Sequence, residues 1–291
     1  MSSQATPAEA TSSGNVIARA RAEGRSALVG YLPVGYPDLP TSIAAARAMV
    51  AAGVDVVELG LPYSDPLMEG PVIQRAVEAS LRAGTRPRDV IAAVEQVADA
   101  GAPVLVMTYW NPVEQYGVEA FAADLAAAGG AGLITPDIIP EEAGEWIAAS
   151  DRHGLDRVFL VAPSSTDARL RLTVQACRGW VYAASTMGVT GVRERVDTRA
   201  EVLVARTRAA GGRLVCVGLG VSGRAQAAQV GSFADGVIVG SALVRAVGTG
   251  AGEAGADSAV DAVTRLTAEL SAGVREAAPA SLGPPVAGVA G

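Results

Sequence analysis

Val56-Val57-Glu58-Leu59-Gly60-Leu61-Pro62-Tyr63-Ser64-Asp65-Pro66-Leu67-Met68-Glu69-Gly70-Pro71 opens as an apolar run, stops on a carboxylate and continues as a Gly/Pro-punctuated loop. A short β-branched run bounded by glycine and proline reads as a strand. Alternation puts Val54, Val56 and Glu58 on one face. If that face points inward, Glu58 caps an enclosed interior; if not, it is a solvent-facing acid at a strand end. Two more carboxylates, Asp65 and Glu69, follow in the loop.

The same format recurs on both sides of this stretch. Ala27–Leu32, Val54–Leu59, Val104–Thr108, Gly132–Thr135, Arg157–Ala162, Gly179–Ala183, Leu214–Val217 and Gly236–Val239 read as strands. Between them lie amphipathic segments at Thr41–Ala52, Pro87–Ala100, Val118–Ala128, Glu141–Ala149, Ala168–Ala176, Thr198–Ala209 and Arg224–Val230, and a last helix covers Ser258–Leu270. Strict alternation predicts a parallel sheet, and eight strand-then-helix units predict a closed barrel. The rival open sheet announces itself with Gly-x-Gly-x-x-Gly after its first strand, which Tyr31-Leu32-Pro33-Val34-Gly35-Tyr36-Pro37 is not. The expected architecture is α/β: a single (β/α)8 TIM barrel over residues 15–274, with an extra N-terminal helix. Residues 1–14 and 275–291 are expected to be disordered, flexible termini, being Ser/Thr/Ala-rich and Pro/Gly/Ala-rich without periodicity.

Composition narrows the chemistry. Half of the 291 residues are hydrophobic, enough for a large core, and the net charge of −7 argues against a nucleic-acid or anionic-membrane partner. The polar N-terminal stretch lacks the apolar core of a signal peptide, and no apolar run reaches the length of a membrane span. Cys177 and Cys216 form no motif and are expected to stay reduced in a cytoplasmic protein. All 23 basic residues are arginine, so no lysine amine is present to form a Schiff base. The single histidine, His153, sits in Ser150-Asp151-Arg152-His153-Gly154, which reads as a helix C-terminus rather than part of a triad. One histidine and two separated cysteines do not make the usual catalytic metal set, so no metal is expected. Catalysis falls to carboxylates, tyrosines, hydroxyls, arginines and backbone amides.

Barrel enzymes place these groups at the C-terminal ends of the strands. Glu58 ends the second strand, where partial desolvation would raise its pKa toward an acid/base range. Tyr182 ends the sixth, as a core aromatic or as a site residue beneath a Ser/Thr/Gly loop able to close over a substrate. After strands seven and eight come Gly218-Leu219-Gly220-Val221-Ser222-Gly223 and Val239-Gly240-Ser241-Ala242. Glycines there let backbone N–H groups approach an anion, and a helix N-terminus adds its positive end. Carboxylates, a tyrosine and a lysine-free phosphate cup suggest proton transfer on a phosphorylated small molecule.

Glu58-Leu59-Gly60-Leu61-Pro62-Tyr63-Ser64-Asp65-Pro66 followed by Gly70-Pro71-Val72-Ile73-Gln74-Arg75-Ala76 closely resembles the signature of the tryptophan synthase α subunit family. Leu32-Pro33-Val34-Gly35-Tyr36-Pro37, Tyr109-Trp110-Asn111-Pro112, Pro136-Asp137-Ile138-Ile139-Pro140, Met187-Gly188-Val189-Thr190-Gly191 and Gly218-Leu219-Gly220-Val221-Ser222 match in family order. The resemblance implies retro-aldol cleavage of indole-3-glycerol phosphate to indole and glyceraldehyde 3-phosphate, without metal or Schiff base. It implies Glu58 as principal acid/base, Glu69 stabilising positive charge at the indole N–H, and Tyr182 as the active-site tyrosine. It implies a phosphate site of Gly191, Gly220, Gly240 and Ser241, an indole pocket lined by Tyr31, Met107 and Leu219, and Thr190 meeting the second carboxylate on loop closure. No cofactor is implied in this chain. The implied partner is a pyridoxal-phosphate (PLP) β subunit in an α2β2 heterotetramer, reached through Asp65-Pro66 and Tyr109–Asn111. Two departures stand out: Glu69 replaces the family's usual Asp, and Thr186 occupies a position where some members carry Arg. A stand-alone indole-releasing lyase and a catalytically silent activating subunit are the alternatives.

Overall fold

A computed structural model of the chain describes residues 12–184, 198–218 and 220–277. Eight parallel strands close into a barrel in sequence order. They are β1 (Ala27–Pro33), β2 (Val56–Gly60), β3 (Val104–Met107), β4 (Gly132–Thr135), β5 (Asp156–Val161), β6 (Val181–Ala184), β7 (Val215–Gly218) and β8 (Gly236–Val239). β8 pairs back onto β1, with Leu28 opposite Val237 and Val29 opposite Ile238, so no strand edge is left open. Among the described residues twelve helices accompany them: α1 (Ser13–Ala22), α2 (Leu39–Ala51), α3 (Pro71–Arg82), α4 (Pro87–Ala98), α5 (Trp110–Tyr116), α6 (Val118–Ala127), α7 (Gly144–His153), α8 (Asp167–Ala176), α9 (Thr198–Ala209), α10 (Arg224–Gly231), α11 (Ser241–Ala254) and α12 (Ala256–Glu276).

Period-two alternation sorts the strand side chains into two cores. Val29, Val56, Leu105, Ile134, Val158 and Cys216 fill the barrel interior, while Leu28, Val57, Val106 and Val217 pack outward against the helices. Glu58 therefore shares the inward face with Val56, as expected. Val54 does not: its N–H bonds to Met49 O at 3.0 Å, which makes it part of the turn closing α2, and it packs in the outer core. The β2 strand starts only at Val56.

α1 closes the N-terminal end of the barrel, with Ile17 and Ala20 fully buried in the inner cluster. It begins at Ser13, inside the segment read from sequence as loose through residue 14. The reason lies 143 residues away: the Ser13 N–H and hydroxyl donate to the buried Asp156 carboxylate at 2.8 and 2.6 Å. Trp180 Nε1 donates in turn to the Ser13 hydroxyl at 3.1 Å. At the other end α12 runs to Glu276 and Ala277 is buried, so the ordered chain extends past the expected boundary at residue 274. Ser26 N–H donates to Val274 O, tying that helix to the start of β1.

Pro71–Arg82, Trp110–Tyr116 and Ser241–Ala254 are helices that the sequence pattern did not separate from the neighbouring Gly/Pro turns. Pro71 stands at the first position of α3, where its missing N–H has no intrahelical partner to lose. α7 starts at Gly144, three residues after the expected Glu141, because Ile139–Ala143 form successive turns. It ends as expected, with Gly154 left-handed at φ 68° and His153 Nε2 2.8 Å from Glu119 Oε1. No described helix is long and apolar enough to cross a membrane.

Candidate active site

The C-terminal mouth of the barrel holds a cavity of about 780 Å³, counting the part open to solvent. Its walls are mostly apolar, including Met68, Ile73, Met107, Leu160 and Ile238, and its polar side chains are Tyr31, Glu58, Glu69, Tyr182 and Ser241. Residues from seven strands and three following segments thus meet at one end, because inward positions at the strand tips converge when the sheet closes.

Glu58 is 1% exposed, and neither carboxylate oxygen has a hydrogen-bond partner among the described residues. Burial raises its pKa from 4.5 to about 8. A charge in that position has lost its water and gained no donor, so the carboxyl holds its proton at neutral pH and can deliver it as a general acid. Tyr31 faces it from β1, where the two residues are register partners. Tyr182 enters from β6, its ring stacked on Trp180 with centroids 5.8 Å apart. Burial drives both tyrosines above their ordinary range, and the nearby carboxylates add to the effect. Both phenols stay neutral and act only as donors or acceptors of hydrogen bonds.

Glu69 sits in the β2 loop and is clamped. Its Oε2 accepts from the Tyr109 hydroxyl at 2.5 Å, and that hydroxyl accepts from the backbone N–H groups of Leu67 and Met68 at 2.8 and 3.0 Å. Two incoming donors leave the Tyr109 hydrogen one direction to point, toward Glu69. The Gln74 amide holds the Glu69 carbonyl at 2.9 Å. The longer side chain of Glu, compared with Asp, is accommodated by folding back: Oε2 also lies 3.3 Å from the N–H of its own neighbour Met68. Tyr63 packs on the Tyr109 ring at 5.2 Å.

Beside Tyr31, Gly240 precedes α11 directly and Ser241 is its first residue. Ser241 lines the cavity together with Gly220, which adopts the left-handed conformation at φ 71°, and the first N–H groups of a helix have no intrahelical acceptor. This helix start is an anion-receptive end in the same cavity as the carboxylates. Thr186, Thr190, Gly191 and Leu219 lie outside the described residues.

The structure therefore brings together Glu58, Glu69, Tyr182, Tyr31, Met107, Gly220, Gly240 and Ser241 in one site. Tyr109 is different from its expected role at a partner surface: it is 3% exposed and turned inward onto Glu69, while Asp65 and Leu67 remain exposed. Its signal was present, since alternation from Leu105 through Met107 reaches Tyr109, but the strand ends at Met107. Leu160 was reachable the same way, two residues beyond the inward Val158.

Comparison with known proteins agrees over nearly the whole described chain. The family model described as tryptophan synthase alpha chain matches residues 17–275. The tryptophan synthase alpha chain of Mycobacterium avium is 60% identical over 273 residues, covering 94% of this chain and 98% of the relative. That of Thermobifida fusca is 61% identical over 265 residues, covering 90% and 97%. Among solved structures, Mycobacterium tuberculosis tryptophan synthase aligns with a TM-score of 0.85 at 58% identity, covering 92% of this chain and 99% of the other. A Legionella pneumophila tryptophan synthase subunit alpha aligns at 0.82 with 30% identity, covering 91% and 98%.

Proposed function

The chain belongs to the tryptophan synthase alpha chain family, and on that premise we propose that Glu58, Glu69 and Tyr182 carry out its chemistry. The reaction is that of a carbon–carbon lyase in tryptophan biosynthesis: indole-3-glycerol phosphate is cleaved to indole and glyceraldehyde 3-phosphate. The observation that carries the assignment of roles is Glu58, an acid that is buried without a partner among the described residues, in one cavity with a helix start able to take a phosphate.

In this reading the phosphate binds the Gly220 and Gly240 backbone and Ser241, together with Gly191, and the indole ring lies among Tyr31, Met107 and Leu219. Glu58 gives its proton to indole C3, and positive charge develops on the ring. Glu69, held by Tyr109, accepts the indole N–H and stabilises that charge. Glu58, now a carboxylate, takes the proton from the adjacent side-chain hydroxyl as the bond to indole C3 breaks. The aldehyde carbonyl forms and the acid is regenerated, so protons balance without an outside donor. Tyr182 orients the reacting side chain, and Thr190 meets Glu69 on closure.

The partner in this reading is a β subunit in an α2β2 assembly, reached through Asp65-Pro66 and Tyr109–Asn111, of which Asp65 and Asn111 are exposed. PLP belongs to that subunit: a chain without lysine cannot form its Schiff base. A cytoplasmic setting and a single barrel domain complete the proposal. A coupled cleavage assay with and without a β subunit tests it. Strong activation supports the partnership, high partner-free turnover favours a stand-alone lyase, and absence of cleavage favours a silent activating subunit.

A further inference from the structure

Tyr31 and Tyr182 occupy matched places in the barrel. Tyr31 on β1 pairs with Glu58 on β2, and Tyr182 on β6 pairs with Cys216 on β7. Two residues beyond each partner stands a glycine with a phenol lying over it. A Cβ at Gly60 would stand 2.8 Å from ring carbons of Tyr31, and one at Gly218 would stand 2.5 Å from the Tyr182 hydroxyl. Each tyrosine leans onto the next strand because that strand offers no side chain at the level above.

The Tyr31 hydroxyl thus ends over Gly60, about 6.6 Å along the strand from Glu58 and on the same face. An extended glutamate reaching up from Glu58 covers much of that distance. Tyr31 borders the main cavity and a smaller one behind Glu69, and its hydroxyl bonds no other described residue. Glu58 presents the complementary need. Among the described residues neither of its buried oxygens has a donor, which suits the protonated acid but not the anion left after proton transfer.

We propose that Tyr31 is a positioning residue whose hydroxyl donates a hydrogen bond to the Glu58 carboxylate formed when Glu58 protonates indole C3. Tyr31 keeps its own proton, held there by burial and by the facing carboxylates. Among the described residues, the titratable groups around Glu58 are Tyr31 from β1, Tyr182 from β6, Cys216 from β7 and Glu69 from the β2 loop, with Tyr109 behind Glu69. Met107, Leu160 and Ile238 bring no titratable group from β3, β5 and β8.

The test is the pH profile of cleavage by Tyr31→Phe, measured with the full chain in the presence of its β subunit. Activity requires protonated Glu58, so it falls as pH rises through that group's pKa. Removing a donor to the charged form raises the pKa, so the alkaline limb is expected to move up by about one pH unit. The accompanying kcat is expected to drop roughly tenfold while KM changes little. An alkaline limb that stays in place, with or without loss of kcat, overturns the assignment. The inference rests on Glu58 being the acid, and the two are separable. Retained turnover in Glu58→Gln defeats the acid reading, whereas an inactive Glu58→Gln beside an unmoved Tyr31→Phe limb defeats only the role of Tyr31.

Discussion

Replacing Glu58 by Gln should make the protein more stable at alkaline pH while removing its activity. The folded chain holds the Glu58 proton to about pH 8, whereas an exposed glutamate releases it near 4.5. Below 4.5 both states are protonated and the group has no effect on the balance. As pH rises from 4.5 toward 8, the unfolded chain ionises and the folded chain does not, so wild-type stability falls. Above about 8 the loss is complete. A gap of about 3.5 pH units corresponds to ~5 kcal/mol at 1.36 kcal/mol per unit. Gln has the same shape and cannot ionise. The stability of Glu58→Gln relative to wild type should therefore climb by roughly 1.4 kcal/mol per pH unit between about pH 5 and pH 8, then level off. Urea unfolding of both proteins across this range measures the difference directly, since contributions from other groups cancel. Parallel stability curves would refute the reasoning, because they would mean that Glu58 ionises alike in both states. The same variant should lose cleavage while still binding phosphate ligands, and near-normal turnover would remove Glu58 from the mechanism.

Tyr109→Phe should release Glu69 and strand two backbone N–H groups, lowering kcat/KM by roughly a hundredfold and stability by about 1–3 kcal/mol; steady-state kinetics and denaturant melts check both, and unchanged kinetics would mean that the clamp is incidental. Gly218→Ala should push the Tyr182 phenol out of place, since its Cβ would stand 2.5 Å from the hydroxyl and 2.9 Å from the ring. Overpacking of that kind costs about 1–3 kcal/mol, and normal melting with normal turnover would show that the ring has room to move.

Much of this architecture was legible because it depends on local pattern. Short β-branched runs separated by amphipathic segments are enough to predict eight strands in parallel, and all eight appear close to the expected positions. The position of Glu58 followed from alternation together with the rule that barrel chemistry gathers at strand ends. The Gly-Ser junction after β8 was recognisable because a glycine before a helix start is itself a local signal. Helices α3 and α5 were harder to see, since Pro71 opens the first and Pro112 stands within the second, residues equally at home in turns.

The sequence by itself determined the strand order, the inward face once a barrel was assumed, and the absence of lysine chemistry, all properties of residue type and spacing. Only the tertiary structure decided that Glu69 is held by Tyr109 across 40 residues and that Asp156 draws Ser13 into the fold across 143. It also decided that Tyr31 shares a cavity with Glu58 and Glu69. Alternation states which residues share a face, but their companions across the barrel are chosen when β8 closes on β1, and burial of Glu58 without a partner exists only after that closure.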